Sequence, residues 1–254
     1  MPLIVPPMQQ ASIANQHTWA AFSTIHITIL IIMKGEIYMN DFLKPVMQIR
    51  IQKTINNLIK NNMNACCVKN SNEAMLKAKE FLQDGQLVAW GGSATLKETG
   101  IVDMLKNGEY EYYDRTVSGL SPQQNKDYSR KAFLADVYFT GTNAITEDGE
   151  LYNVDGNCNR VAPLLYGPDK VVVVVGTNKI VANLEQAKLR VQKLTAPANG
   201  IRLNSNTPCV HLGECVGGLG CHSENRLCCA YVTIGFQREK NRINVIFVED
   251  DLGF

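Results

Sequence analysis

Apolar side chains recur every three or four residues in several stretches of the chain, a spacing that places them on one face of a helix. The clearest example lies between residues 40 and 62, where Asn40 or Asp41 is suited to cap the helix. Comparable spacing predicts further helices, and their ranges are 71–82, 95–105, 122–135 and 184–194.

Short apolar runs bounded by turn residues predict strands between these helices. Residues 87–90 form such a run, and the run at 170–176 holds five consecutive valines, which is typical of a central strand covered on both faces. Further strands are predicted at 110–114, 136–140, 151–154, 230–236 and 243–248, the last two flanking the charged turn 237–242. This alternation predicts an α/β domain whose mostly parallel sheet carries helices on both faces.

Charge and length narrow the possible functions. The chain has 254 residues with 25 Lys+Arg against 24 Asp+Glu, a balance that argues against nucleic acid and against a polybasic membrane surface as partners. The start of the chain lacks the organisation of a signal peptide, and its longest uninterrupted apolar run, 29–33, is too short to span a membrane. We therefore expect a cytoplasmic protein, whose eight cysteines are reduced thiols, metal ligands or redox groups rather than disulfides.

Residues 1–38 differ from the rest because they contain no acidic residue before Glu36 and show no sustained periodicity. Lys34, Gly35 and Glu36 can be encoded by a purine run that resembles a bacterial ribosome-binding sequence, at a suitable distance before Met39. We expect residues 1–38 to be a translated leader or disordered, and 39–254 to be a single α/β domain. A native, weakly ordered extension is the alternative, and a targeting peptide fits least. A chain that begins at Met39 should melt like the full chain.

A glycine-rich segment at residues 91–95 follows one predicted strand and opens a helix. Free backbone N–H groups at such a junction suit an anion. The segment has neither Walker nor dinucleotide spacing. Its polar residues are equally explained by a capping box in which Thr95 and Glu98 begin the helix.

A second segment, residues 141–149, follows the strand that ends at Thr140. Ligands of parallel α/β sheets bind beyond the carboxyl ends of the strands, so both segments point to one edge. Asp148 and Gly149 also form a turn signal. Glu147 is either a general base or a solvated turn residue.

A third segment, residues 155–160, places Arg160 after another strand. Its planar guanidinium can clamp a carboxylate or phosphate, or it can pair with Asp155. Asn178 and Lys179, just beyond the valine strand, add a cation at the same edge; the alternative is a capping asparagine followed by a surface lysine.

A cysteine cluster fills the Gly-rich segment 207–229. Four thiols so close in sequence can converge on zinc or on an iron–sulfur cluster, although the spacing is neither that of a zinc ribbon nor that of a ferredoxin. The alternative is that they are ordinary loop or core residues, as we expect for Cys66, Cys67 and Cys158. The predicted ligands are Cys209, Cys215, Cys221 and Cys228, with Cys229 as the alternative fourth.

The segments "GGSATLKETGIVDML", "ADVYFTGTNAITEDGELYNVDGNCNRVAPLLYGPDKVVVVVGTNKIV" and the tail beginning "TPCVHLGEC" resemble the LUD-domain proteins of the lactate utilization protein C type, over about residues 41–248. The resemblance implies a fold similar to the ribose-5-phosphate isomerase and CoA-transferase superfamily. It also implies a role in oxidising lactate to pyruvate beside partners that resemble iron–sulfur oxidoreductases. The chain departs from the family by the extra residues 217–220 before Cys221, which puts identical metal geometry in doubt.

We expect a subunit of a complex that oxidises lactate or another 2-hydroxy acid and binds a small anionic ligand. Two other functions stay open: a stand-alone isomerase- or transferase-like enzyme with Glu147 as base or nucleophile, and a non-enzymatic redox or metal-sensing module. Homo-oligomerisation also stays open. We expect Ser93, Asn143, Thr146, Asn159 and Arg160 to line one pocket. The positions that match the family, all predicted to bind ligand except Gly149 and the catalytic candidate Glu147, are Gly91, Gly92, Ser93, Thr95, Gly141, Asn143, Thr146, Glu147, Gly149, Asp155, Asn159, Arg160, Asn178 and Lys179.

Overall fold

A computed structural model describes residues 42–112, 119–218 and 221–254. Its α-helices are α1 Leu43–Lys60, α2 Ser71–Lys79, α3 Ala94–Glu98, α4 Ile101–Lys106, α5 Pro122–Lys131, α6 Val161–Leu165, α7 Leu184–Arg190, α8 Ala196–Arg202 and α9 Pro208–Leu212. Its strands are β1 Asn64–Val68, β2 Leu87–Trp90, β3 Glu111–Tyr112, β4 Val137–Thr140, β5 Ala144–Thr146, β6 Leu151–Asp155, β7 Lys170–Gly176, β8 Ile180–Val181, β9 Ala230–Ile234 and β10 Ile243–Val248.

Six of these strands form one parallel sheet in the order β1-β10-β7-β4-β2-β3. The valines of β7 alternate between two apolar cores, as the period of two in a strand requires. Val171, Val173 and Val175 pack in the core that contains Ile51 and Leu58 of α1. Val172 and Val174 lie in the opposite core with residues of α2, α3 and α4. The predicted α/β class, with a mostly parallel sheet and helices on both faces, is confirmed.

A second, smaller sheet has the order β8-β5-β6-β9 and mixes parallel with antiparallel pairs. The hydrophobic pattern does not predict this sheet, because β5 and β8 have only three and two residues. The two predicted strands beside the charged turn 237–242 are present, but they belong to different sheets. β9 pairs with β6, whereas β10 inserts between β1 and β7.

The predicted helix 95–105 is divided into α3 and α4 at Gly100, whose φ of +72° breaks the helical path. The alternative explanation, a capping box formed by Thr95 and Glu98, is wrong. Ser93 caps α3, and its side chain accepts a hydrogen bond from the Leu96 N–H at 3.3 Å. Thr95 and Glu98 instead bind residues 252 and 253. Thr95 donates its hydroxyl hydrogen to the Leu252 carbonyl, and the Glu98 carboxylate accepts a hydrogen bond from the Gly253 N–H.

Two predicted helices have different ends from those expected. The helix predicted at 184–194 continues as α7, a π-helical turn at Val191–Thr195 and α8. The helix predicted at 122–135 ends in a 3₁₀ turn, Ala132–Leu134. The leader at 1–38, the start at Met39 and the caps Asn40 and Asp41 fall outside the described residues. So does the end of the strand predicted at 110–114. Within the described ranges, no helix is both long and apolar enough to cross a membrane.

Candidate functional site

The loops that follow β2, β4, β6 and β7 meet at the carboxyl edge of the main sheet and enclose a cavity of about 270 Å³, which we call the anion pocket. Ser93, Asn143, Asn159 and Arg160 all line it, as predicted. The placement of Thr146 was predicted wrongly. This residue is fully buried at the end of β5, where its hydroxyl pairs with Glu150 across the hairpin turn.

Glycines let these loops approach one another closely. A Cβ at Gly91 would collide with the Tyr138 hydroxyl and would lie 2.7 Å from Cγ of Arg160. A Cβ at Gly141 would lie 2.6 Å from the Ser93 hydroxyl oxygen. Gly91 therefore acts behind the lining, whereas Gly92 and Gly141 belong to it. The first two loops depend on these small residues for their contact.

Arg160 ties two walls of the anion pocket together. One terminal nitrogen, Nη1, donates to the Gly141 carbonyl at 3.1 Å and to Oδ1 of Asn153 at 2.6 Å. The other, Nη2, donates to Oδ1 of Asn143 at 3.0 Å and to the Val154 carbonyl at 2.9 Å. The guanidinium, in a residue only 9% exposed, thus joins the loop after β4 to strand β6 while its positive charge lies in the pocket wall.

Asp155 orients the start of α6. Its carboxylate accepts the main-chain N–H groups of Gly156, Arg160 and Val161 at 2.9–3.1 Å. These bonds hold the loop that carries Asn159, whose side-chain amide donates to the Ser129 hydroxyl. Asp155 lines the pocket as predicted, and its carboxylate serves the local backbone.

Lys179 is buried at the pocket, with only 3% of the residue exposed. Its ammonium nitrogen donates to Oγ1 of Thr95 at 2.8 Å. Burial, helped by the nearby charges of Arg190 and, more weakly, Arg160, lowers the pKa of Lys179 to about 7, while Glu98 opposes the shift. The alternative of a surface lysine is wrong. Thr95 holds Lys179 from behind and is not part of the lining.

Two arginines at this site were missed by the sequence reasoning. Arg190 donates to the Asn143 carbonyl at 2.8 Å and to Oγ1 of Thr195 at 3.0 Å, so it holds the second loop from outside. Arg202 lines the pocket and donates to Oδ1 of Asn199. The helix predicted at 184–194 contains Arg190 but gives no sign of the loop that it reaches, and no predicted element contains Arg202.

Asn178, predicted to bind ligand, instead anchors the end of the chain. Its side-chain oxygen accepts the Leu252 N–H at 3.4 Å, and its amide donates to the Gly253 carbonyl at 3.5 Å. Asn178 does not belong to the pocket lining. The lining of the described residues therefore combines three cationic side chains, those of Arg160, Lys179 and Arg202, with the carboxylate of Asp155.

Glu147 lies at a different place from the one predicted. Its carboxylate accepts hydrogen bonds from Arg50 at 2.7 Å and Lys53 at 2.9 Å, both on α1. These two partners lower the pKa of Glu147. The nearby turn residue Gly149 has a φ of +81° and packs against the backbone of Asn57. Glu147 and Gly149 thus fasten the β5–β6 hairpin to α1, and Glu147 is not placed to act as a base in the pocket.

A second cavity of about 210 Å³, which we call the cysteine cavity, lies in the segment 207–229. Cys209, Cys215, Cys221 and Cys228 all line it. Cys229 is exposed, and its thiol donates to the Arg226 carbonyl, so the structure favours Cys228 over it as the fourth member of the group.

The cysteines of this cavity influence one another. Burial raises the pKa of the Cys228 thiol to about 11, and the neighbouring Cys215 and Cys209 add to the increase. All eight cysteines lie within the described ranges as free thiols. In the described part of the chain, no group of three or more His, Cys, Asp or Glu side chains stands ready to hold a metal ion. Metal binding therefore stays a prediction.

The two cavities share part of their lining. Ala196, Leu227 and Cys228 contribute to both. Cys228 thus belongs to the cysteine group and, from its other side, to the pocket that holds Lys179.

Solved structures match the chain at low sequence identity. A DUF162 family protein from Deinococcus radiodurans is 13% identical with a TM-score of 0.45, over 80% of this chain and 97% of that chain. The eIF2B delta subunit from Chaetomium thermophilum is 19% identical with a TM-score of 0.31, over 64% of both chains. Ribose 5-phosphate isomerase from Plasmodium falciparum is 16% identical with a TM-score of 0.28, over 44% of this chain and 53% of that chain. A comparison with curated protein sequences finds no match.

A family model matches most of the chain at the level of sequence. The model of the LUD domain matches residues 51–248, which include β1 to β10, the loops of the anion pocket and the cysteine segment. This match confirms the resemblance carried by the glycine-rich segments and by the block around the valine strand. The chain therefore belongs to the LUD domain family.

Proposed function

We propose that the anion pocket binds a small carboxylate of the 2-hydroxy acid or 2-oxo acid class, and that the chain serves lactate utilization in the cytoplasm beside an iron–sulfur oxidoreductase partner. The observation that carries the binding proposal is the buried ammonium group of Lys179 at a cavity that Arg160 and Arg202 also line. A cation in such a place has lost much of its hydration, and a bound carboxylate compensates for that loss.

The size and the polar groups of the pocket support a small ligand. Its volume of about 270 Å³ lies just below the usual range for drug-sized ligands, about 300–1,000 Å³. The Ser93 hydroxyl accepts the Leu96 N–H and can donate its own hydrogen to a ligand oxygen. Because Arg160 and Asp155 already hold the loops, little loop ordering has to accompany binding.

The link to lactate rests on the resemblance to lactate utilization protein C proteins. Oxidation of a 2-hydroxy acid to a 2-oxo acid removes two electrons and two protons from the substrate. In this proposal the electrons pass to the iron–sulfur partner, and the present chain binds the acid by its carboxylate. The role of Lys179 is to pair with that carboxylate.

Calorimetric titration of the full chain with lactate and with pyruvate tests the proposal. Lys179→Met should weaken binding by ten- to a hundredfold, because a charge-assisted hydrogen bond contributes about 1.5–3 kcal/mol. Lys170→Met is the matched control, since Lys170 is exposed at the start of β7, whereas Lys179 lies just beyond the other end of that strand. Affinity should also fall as the pH rises above 7, because the amine must then take up a proton before it pairs with the carboxylate.

Two results would overturn the binding proposal. One is the absence of heat with both acids at millimolar concentration. The other is equal affinity of the Lys179→Met and Lys170→Met variants. The role in lactate utilization is tested separately, by asking whether the chain co-purifies with an iron–sulfur protein from lactate-grown cells and raises its lactate-dependent reduction of an artificial electron acceptor.

A further inference from the structure

The fold draws four thiols from one irregular segment to a single cavity. Cys209 lies in the short helix α9, and Cys215, Cys221 and Cys228 lie in the loop that follows. All four line the cysteine cavity of about 210 Å³. The other four cysteines, Cys66, Cys67, Cys158 and Cys229, do not belong to this lining. The chain thus separates its cysteines into a group that shares a cavity and a group that does not.

Backbone and side-chain groups shape this cavity around sulfur. The Gly218 N–H donates to Sγ of Cys215 at 3.2 Å, and the Thr207 hydroxyl lies 3.3 Å from Sγ of Cys209. Both contacts place a polar group against a sulfur that faces the cavity. A Cβ at Gly217 would lie 3.0 Å from Cα of Cys221, so glycine permits this close approach of Cys221.

Arg226 connects the two later cysteine positions. Its guanidinium donates to the main-chain carbonyls of Cys221 and Cys228, so one cation bridges the two arms of the segment. The segment is also attached to the body of the domain, because the Cys215 N–H donates to the Gln192 carbonyl at 2.8 Å. A cationic group in the same cavity lining would offset part of the negative charge that the sulfurs would acquire as thiolates.

We propose that Cys209, Cys215, Cys221 and Cys228 form a four-thiolate metal centre, occupied by a zinc ion or by an iron–sulfur cluster. Four thiolates are a common ligand set of both. The sulfurs do not stand in ligating geometry in the described residues, so binding has to draw the segment inward. Little apolar packing resists this movement. Among the described residues of the segment 207–229, Thr207 alone is buried. This centre goes beyond the proposed function, because neither lactate nor the anion pocket is needed for it to form.

The experiment uses full-length protein prepared without oxygen and stripped of metal. One arm adds Co²⁺ and then Zn²⁺; thiolate coordination of Co²⁺ gives intense charge-transfer bands, which one equivalent of Zn²⁺ should abolish. The other arm supplies iron and sulfide and follows the visible spectrum of a cluster. Cys215→Ser with Cys221→Ser should lose the signal of whichever arm responds, and the matched control Cys158→Ser with Cys229→Ser should keep it.

Alkylation of the unmutated chain keeps the test decisive where a variant fails to fold. The bound metal or cluster should slow iodoacetamide modification of Cys209, Cys215, Cys221 and Cys228 at least tenfold, while exposed Cys158 and Cys229 react as before. The proposal is overturned if neither arm gives a spectrum, if the protected cysteines are others, or if the four thiols only form disulfides on mild oxidation. The last result would favour a redox-sensing role. None of these readouts requires binding of lactate or pyruvate.

Discussion

The anion pocket and the cysteine cavity share a wall but are built in opposite ways. The anion pocket collects residues from Gly92 to Phe254, most of which the strand ends of the main sheet bring together. Most of the cysteine cavity comes from the single stretch 207–228. The first inherits its geometry from the sheet, and the second depends on a few local hydrogen bonds. If both proposals hold, a ligand would find the anion pocket already formed, whereas the cysteine cavity would need a bound metal to complete it.

The largest effect on stability should come from Arg160, and Arg226 provides the comparison in the other region. Arg160→Met should lower the free energy of unfolding by roughly 3–5 kcal/mol, because it leaves several buried oxygens without their donor. Arg226→Met should change the unfolding of the domain far less and should act on metal affinity instead. Urea denaturation followed by circular dichroism measures the first effect. Equal destabilisation by both variants would contradict the contrast between the two regions.

The pH dependence of stability tests the burial of Lys179. Its folded-state pKa of about 7 lies below the ordinary 10.5, so between these values the unfolded chain binds more protons than the folded one. Stability therefore rises with pH in this window, by about 2 kcal/mol between pH 7 and pH 9. Lys179→Met should remove this rise, and Lys170→Met should keep it. Parallel curves for the wild type and Lys179→Met would show that Lys179 is solvated.

Glu147 provides a variant outside both cavities. Glu147→Gln should cost about 1–2 kcal/mol at pH 7, because the ion pairs with Arg50 and Lys53 are lost. The partners lower the pKa of Glu147, so its contribution is present above the ordinary value of 4.5 and is lost as the pH falls through the folded-state pKa. Affinity for pyruvate should not change. A weakened pyruvate affinity in this variant would show that Glu147 contributes to ligand binding after all.

The shared wall predicts the smallest effect, which rests on both proposals. Metal that draws Cys228 inward should change the pyruvate affinity by about fivefold, and by linkage pyruvate should change zinc affinity by the same factor. Titrations of each ligand with and without the other measure this coupling. Unequal factors at equilibrium would show that one titration reports something other than binding.

The sequence predicts the regular part of the main sheet well because long apolar runs determine it. The strands at Leu87–Trp90 and Lys170–Gly176 have the predicted bounds. The small sheet could not be predicted, since Ile180–Val181 and Ala144–Thr146 are too short to show a period. The pairing of β10 with β1 and β7 could not be predicted either, because the sequence of an apolar strand does not indicate which strands lie beside it.

Candidate site residues follow the same division. Ser93, Asn143, Asn159, Arg160 and Lys179 were found because each directly follows a strand or lies in the next loop. Thr146 and Glu147 were misplaced because the β5–β6 hairpin carries them away from the edge to Glu150 and to α1. The burial of Lys179 could not be foreseen, because Thr95 and the residues around it come from far along the chain.

The position of β10 has a consequence for synthesis. Of the described strands it is the last to leave the ribosome, yet it fills the gap between β1 and β7. Until residues 243–248 emerge, β1 has no partner and the valine strand has an open side. Such edges readily pair with other chains. A nascent chain stalled before residue 243 would therefore carry β1 apart from the rest of the main sheet. Chaperones that shield the exposed strand edges would then be needed to prevent aggregation.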